Sequence, residues 1–374
     1  MKRLNAVVIG LGRIGFEMEG EYGRANPCTH AGAYQRSRKT ILVGGFDTDA
    51  TQVAKFSERY KECLVNEVTE NLESFLIRSK ANIVSVSCSS NSHLRVIRQI
   101  SKAVRQGCDL KGILLEKPLG MNSNEALQIE RVLSKLNVHV VVCHDRRFMS
   151  EFQYFFTLHL KRKKLGLGEL RHIRGAVHCA STIKGRGGQQ QTFGGPMLHD
   201  GTHLIDLMIY LAGRPKLVSA WSVRRDLEFI GEDTSYGQLW FENAVTGLFL
   251  VGGKRKYFHF ELEMEWERAK LLFSHGRWLY LCKDSPTPYL KVREVSLPKS
   301  KNPYMVRLNH LIDLISDNRK LNLSSIADGV VACQVIDCIY ESSRRGGLAL
   351  SPCGVTQYEQ EVELMESSDS DLLR

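Results

Sequence analysis

Leu4-Asn5-Ala6-Val7-Val8-Ile9-Gly10-Leu11-Gly12-Arg13-Ile14-Gly15 is the stretch whose reading decides the fold. A short apolar strand, Asn5–Ile9, ends in glycine and leads straight into Gly-x-Gly-x-x-Gly. The first glycine, Gly10, permits a tight turn, and Gly12 lets the backbone approach a diphosphate. Gly15 allows close packing of helix on strand, while the amides of the following helix face the anion. Arg13 and Ile14 lie inside the same phosphate-binding turn. A lone glycine hexapeptide is weak evidence; its place directly after a strand strengthens it.

A dinucleotide site also needs an acid at the end of the second strand, and Asp47 in Gly45-Phe46-Asp47 supplies it. A carboxylate there accepts the adenosine ribose hydroxyls and repels a 2′-phosphate, which favours NAD over NADP. Asp47 lies further from the glycines than the usual ~20 residues. The intervening Met18–Thr29, rich in Gly, Asn and Pro, reads as an inserted loop.

Further along, apolar strands at Ile41–Phe46, Ile83–Cys88, Gly112–Leu115 and Val138–Cys143 alternate with helical patterns at Ala50–Tyr60, His93–Gln106 and Asn124–Leu136. That alternation predicts a doubly wound parallel sheet of Rossmann type. After residue 146 the texture changes. Leu217–Arg225, Ser235–Phe241, Ala244–Val251, Tyr257–Trp266, Lys270–Phe273 and Trp278–Cys282 read as successive strands, with turns at Glu242-Asn243 and His275-Gly276. Phe258–Trp266 alternates apolar and polar residues, so one sheet face is apolar and the other wet. Helical patterns return at Val306–Ser316 and Ile326–Arg344. The expected organisation is therefore a Rossmann domain over 1–146, an α+β domain with a large, mostly antiparallel sheet over 147–353, and a flexible acidic tail over 354–374.

Composition narrows the class. The 374 residues are 43% hydrophobic and 25% charged, ordinary for globular domains. No apolar run reaches the ~20 residues that span a bilayer. The start does not read as a signal peptide, so a cytoplasmic protein is expected. Ten scattered cysteines form no C-x-x-C pair, which speaks against a zinc cage or disulfide framework. The net charge of +10 fits an anionic cofactor. The one dense basic run, Lys161–Lys164, lacks interleaved aromatics, so nucleic-acid binding is not expected.

Leu114-Leu115-Glu116-Lys117-Pro118-Leu119-Gly120 closes a buried strand with a charged pair, a costly arrangement without a task. Here the chain resembles the glucose–fructose oxidoreductase/inositol dehydrogenase/MocA (Gfo/Idh/MocA) family, whose signature is Glu-Lys-Pro. The resemblance extends over Thr29–Tyr34, Arg146-Arg147-Phe148 and Ala349–Pro352, covering about residues 3 to 353. It implies that Lys117 hydrogen-bonds the reacting hydroxyl beside the nicotinamide, with Glu116 also in the cofactor site. Family members carry a glycine pair and then Asp-x-Gly-x-His-x-x-Asp. Gly194-Gly195 and Gly201, His203 and Asp206 fit that pattern, with His199 where aspartate is usual and Asp200 beside it.

His203 is then the candidate acid/base, since an imidazole titrates near neutrality. His199, four residues earlier, shares its helix face and joins His203 and Asp200 as a catalytic or substrate-binding candidate. His199-Asp200-Gly201-Thr202-His203 also mimics a zinc-protease motif, but the helical glycine and the upstream dinucleotide signals argue against a metal. Ser89, Asn91 and His93 stand where relatives carry Thr-Pro-x-x-x-His and are expected around the nicotinamide half. Arg147 either orients substrate or pins the domain junction. Gly185–Thr192 is either a substrate loop or a connector. The resemblance implies an NAD-dependent oxidoreductase of a sugar, nucleotide-sugar or cyclitol hydroxyl, working as a homodimer or homotetramer through sheet packing. The rival is a nicotinamide-binding regulator without turnover.

Overall fold

The computed structural model describes residues 3–67, 69–179, 195–225, 231–274, 277–283, 290–295 and 301–352. The 185–192 loop, Gly194, the His275-Gly276 turn and the acidic tail lie outside the described residues. The chain divides into two compact units, Met1–Gln153 with Pro298–Val330, and Tyr154–Leu297 with Val331–Arg374.

The first unit opens with β1 (Leu4–Ile9), a π-helical turn over Arg13–Glu17, α1 (His30–Arg36) and β2 (Thr40–Phe46). There follow α2 (Ala50–Arg59), β3 (Leu64–Val65), α3 (Leu72–Arg78), β4 (Ile83–Val86), α4 (His93–Arg105), β5 (Gly112–Leu115), α5 (Ser123–Leu133) and β6 (His139–Val142). Side-chain caps start the helices: Thr29, Asp49, Asn71 and Asn122 accept backbone N–H groups from Gly32, Thr51, Ser74 and Glu125. The strands pair in parallel in the order β3-β2-β1-β4-β5-β6. The order reverses between β1 and β4, so the crevice for a ligand opens at their carboxyl ends. β3 and α3 escaped the sequence reading because both are too short to show a period.

The helix after the glycine motif is interrupted. It stops at Glu17, and Met18–Thr29 intervenes before α1. Glu19 fastens this segment, accepting from the Cys28 amide and the Thr29 hydroxyl.

Pro303–Ser316 forms a helix (α8 below) that belongs to the first unit, although the sequence reading assigned it to the second. Gly112 explains the docking. A Cβ there would lie 2.8–3.1 Å from Ile315 and Leu311 carbons, so glycine lets the helix lie against β5. Leu308, Leu311 and Ile312 are buried in the same core as β1 and α1.

The second unit holds the end of α6 (Ser150–Leu160), β7 (Leu170–His178), a π-helical turn at Met197–Gly201 and α7 (Thr202–Ala212). Next come β8 (Pro215–Val223), β9 (Thr234–Phe241), β10 (Thr246–Gly252), β11 (His259–Trp266), β12 (Ala269–Ser274), β13 (Arg277–Lys283) and β14 (Leu290–Glu294). The eight-stranded sheet runs β14-β13-β12-β11-β7-β10-β9-β8 and is antiparallel except for β7 against β10. β7 sits inside the sheet, yet its polar Arg-His-Ile-Arg start disguised it in the sequence.

α7 covers one sheet face, where a Cβ on Gly175 would meet Leu204 at 2.4 Å. The other face carries Trp221, Tyr236, Leu250 and Ala176 along one row of the register. A neighbouring row carries Gln238, Leu248, Arg174 and Glu263. Trp221, Tyr236, Leu248 and Leu250 are exposed. The last helix is α9 (Ile326–Arg344), whose Ser342 hydroxyl accepts the Ala220 N–H. Among the described residues no helix is long and apolar enough to cross a membrane.

Candidate active site

The glycine turn has the shape its sequence demanded. Gly10 has φ +90°, and a Cβ there would fall 2.3 Å from the Cys88 amide nitrogen. A Cβ on Gly15 would lie 2.3 Å from the Gly10 carbonyl oxygen. Gly12 differs: a Cβ would meet nothing within 4 Å. Its lack of a side chain therefore answers no packing need of the described protein; it keeps open space above the backbone, as a diphosphate requires. Asp47 follows β2, and its Oδ2 accepts the Leu11 N–H at 2.6 Å. Asn66 brackets Asp47, accepting its N–H and donating to its carbonyl. Ser89 and Asn91 are exposed just after β4, with the Ser89 hydroxyl on Asn91 Oδ1 at 2.9 Å. These features fit a bound dinucleotide.

Glu116 and Lys117 follow β5. Lys117 is half-buried, while Glu116 is 5% exposed and faces the interior. Its Oε1 lies 3.0 Å from His30 Nε2 and 3.6 Å from Arg307 Nη1. Arg307 also pairs with Asp145 and is itself 1% exposed. Burial opposes ionisation of Glu116, but the His30 hydrogen bond and the Arg307 and Lys117 charges outweigh it and hold the carboxyl below its usual range. Burial, and next the Arg307 charge, push the His30 imidazole down, so it stays neutral. The Glu116 carboxyl, expected in the cofactor site, lies in a buried ion cluster with His30 and Arg307.

His93 is likewise turned into the protein. It is fully buried, with Nδ1 3.3 Å from the Leu119 carbonyl and Nε2 3.2 Å from the Cys88 carbonyl. It ties the loop after β4 to the Lys117–Pro118 turn, whose peptide is cis.

Arg147 is also tied down within the first unit. It is 2% exposed, donates to the Leu323 carbonyl at 2.9 Å and lies 3.2 Å from Asp328. A guanidinium held this way pins the chain after β6.

In the second unit, His199 sits in the π-helical turn and His203 in the first turn of α7. Both are half-buried, as is Asp200. The regular-helix rule for i, i+4 neighbours holds only approximately across a π-turn, which widens the helix locally. Gly201 is needed for packing, since a Cβ would approach Met197 Sδ at 2.9 Å and the Val251 methyls at 3.1 Å. Asp206 is fully buried. The Met197 N–H donates to Glu232 Oε1 at 2.8 Å, and the Tyr340 hydroxyl donates to the same oxygen at 3.3 Å. Burial raises the Glu232 carboxyl above its usual range.

Sequence reasoning missed the cluster partners His30, Asp145 and Arg307, and the Glu232 cap. Arg307 left one signal, a lone arginine on the apolar face of Tyr-Met-Val-Arg-Leu-Asn-His-Leu-Ile. Among the described residues, His30, Glu116 and Cys143 are the one group with metal-donor atoms close together. Arg307 already supplies the cation there.

Comparison with known proteins places this geometry. Residues 4–144 match the description "Oxidoreductase family, NAD-binding Rossmann fold", and residues 163–272 match the GFO/IDH/MocA C-terminal domain. The chain belongs to the Gfo/Idh/MocA oxidoreductase family. Its first unit is the family's NAD-binding Rossmann fold, and the protein is an oxidoreductase. Oxidoreductase P35 of Formosa agariphila is 25% identical over 255 residues, covering 65% of this chain and 70% of the relative. D-glucoside 3-dehydrogenase of Escherichia coli is 24% identical over 245 residues, covering 63% of this chain and 61% of the relative. Among solved structures, a candidate NADPH-dependent oxidoreductase of Desulfitobacterium hafniense superposes with TM-score 0.79 at 17% identity, covering 94% and 98% of the two chains. That similarity concerns the Gfo/Idh/MocA fold alone.

Proposed function

We propose that this Gfo/Idh/MocA protein is a cytoplasmic NAD-dependent dehydrogenase or reductase of a secondary hydroxyl on a sugar, nucleotide-sugar or cyclitol. The observation that carries the reading is the intact Glu116-Lys117-Pro118 turn at the end of β5, in the same unit as an open glycine turn fastened to Asp47. Gly10, Gly12, Arg13, Ile14 and Gly15 hold the diphosphate, Asp47 the ribose, and Ser89 and Asn91 the nicotinamide half. Bound NAD supplies the hydride acceptor. The Lys117 ammonium donates to the substrate oxygen and stabilises the negative charge that develops there. The His203 imidazole takes the hydroxyl proton, and His199 and Asp200 orient the neighbouring hydroxyls. Two hydrogen-bonding groups at the reacting carbon suit a polyol better than an apolar ketone. The relative named D-glucoside 3-dehydrogenase supports a sugar substrate. The eight free cysteines among the described residues suit a reducing compartment.

The exposed face of the eight-stranded sheet, with Trp221 and Tyr236 stacked at 5.9 Å, is the proposed contact of a homodimer or homotetramer. A screen of sugars, UDP-sugars and inositols for reduced-nicotinamide absorbance, with NAD and NADP in parallel, tests the activity. Turnover of one of these classes with NAD is expected. Tight NADH binding with no turnover across all three would overturn the enzyme in favour of the regulator.

A further inference from the structure

We propose that Arg307 is a positioning residue for Lys117, holding the Glu116 carboxylate from α8 so that the end of β5 presents the ammonium to substrate. The inference deepens the reading above and takes Lys117 as the group that meets the hydroxyl.

The geometry is a chain of contacts within the first unit. The Lys117 N–H donates to Glu116 Oε2 at 3.4 Å, while the other carboxylate oxygen faces His30 and Arg307. The Arg307 guanidinium lies 4.0 Å over the Tyr304 ring, and the Nη1 that faces Glu116 also pairs with Asp145. Arg307 comes from a helix nearly two hundred residues downstream, and nothing in the Rossmann repeat itself requires it.

Charge bookkeeping gives the cluster its direction. Glu116 and Asp145 bring two negative charges and Arg307 one positive, with His30 neutral. One negative charge is left over, and Lys117, whose charge already acts on Glu116, answers it. A buried ion cluster is a poor source of stability, because desolvation offsets the attraction. Its value here lies in direction. Without Arg307, the Glu116 carboxylate loses its cation and draws the Lys117 ammonium inward, away from the hydroxyl. Without the Asp145 charge, Glu116 and Arg307 balance, and the ammonium is released outward.

The test uses the full chain and needs no substrate. Lys117 is labelled with acetic anhydride and quantified by mass spectrometry against exposed Lys216. Arg307→Met is expected to lower Lys117 labelling severalfold, because the ammonium is drawn toward the Glu116 carboxylate. Arg307→Lys restores it to within about twofold, and Asp145→Asn raises it severalfold. NADH affinity, read by fluorescence, stays within about threefold in all three. With a turned-over alcohol in hand, Arg307→Met lowers kcat with little change in KM. Opposite movements in the two charge variants separate positioning from a merely structural role. Wild-type labelling in a folded Arg307→Met would overturn the proposal. Should that variant not fold, unchanged labelling in Asp145→Asn overturns it equally. If Lys117→Ala keeps its turnover while the labelling shifts occur, the catalytic reading falls and the positioning by Arg307 stands.

Discussion

Asp47 Oδ2 accepts the Leu11 N–H at 2.6 Å, so the acid after β2 is fastened to the glycine turn after β1. Its Oδ1 accepts the Asp49 N–H at 2.9 Å. Each carboxylate oxygen keeps a further lone pair for a ribose hydroxyl, and the carboxyl is held in place before any ligand arrives. Asp47→Ala is expected to weaken NADH binding by about one to two orders of magnitude and to narrow the preference for NAD over NADP. Fluorescence titration with both reduced cofactors checks it.

The three glycines should respond differently. Gly12→Ala adds a methyl into open space, so the melting temperature stays near wild type while NADH binding weakens about tenfold or more. Gly15→Ala drives a methyl into the Gly10 carbonyl and lowers the melting temperature itself. Thermal melts with and without NADH separate the two.

Acid should loosen the first unit in two steps. His30 and His93 are fully buried, and burial lowers both below their ordinary value. The unfolded chain takes up these protons first, so stability is present above about 6.5 and is lost as pH falls toward the folded values. Glu116 is also depressed. Its contribution is present above about 4.3 and disappears as pH falls through its folded value. Melting temperature is therefore expected to fall below about pH 6.5 and again below about 4.3, with His30→Asn flattening the upper step. A melting temperature independent of pH between about 7 and 5 contradicts this.

The exposed sheet face predicts association. Trp221, Tyr236, Leu248 and Leu250 lie on adjacent strands β8, β9 and β10. Leu250→Lys, placed on the outer face, should leave the fold intact and yield a monomer in sedimentation where the wild type is dimeric or tetrameric. A wild-type monomer at micromolar concentration removes the interface.

The Rossmann unit was legible because its buried strands are short apolar runs with glycines at the turn, a pattern fixed locally. The second sheet was legible where strands alternate, as in His259–Trp266. β7 was not, because its outward residues are charged and its partners β10 and β11 lie far along the chain. The same distance hid Arg307: an arginine in an apolar helix signals a buried partner without saying which. Glu116 read as a ligand residue because its motif sits beside the cofactor crevice, while only the fold shows that the side chain turns inward to His30. Arg147 read ambiguously, and its contacts with Asp328 and the Leu323 carbonyl could not be seen in the sequence.

The central claim, an ammonium and an imidazole handling one hydroxyl in an NAD-linked reaction, is tested most directly by Lys117→Ala. Turnover of the best alcohol from the screen and NADH affinity are measured on the same preparation, with His203→Ala alongside. The account predicts that each variant loses turnover by about two to four orders of magnitude, with NADH affinity within about threefold of wild type. Undiminished turnover in Lys117→Ala, with NADH still bound, contradicts it.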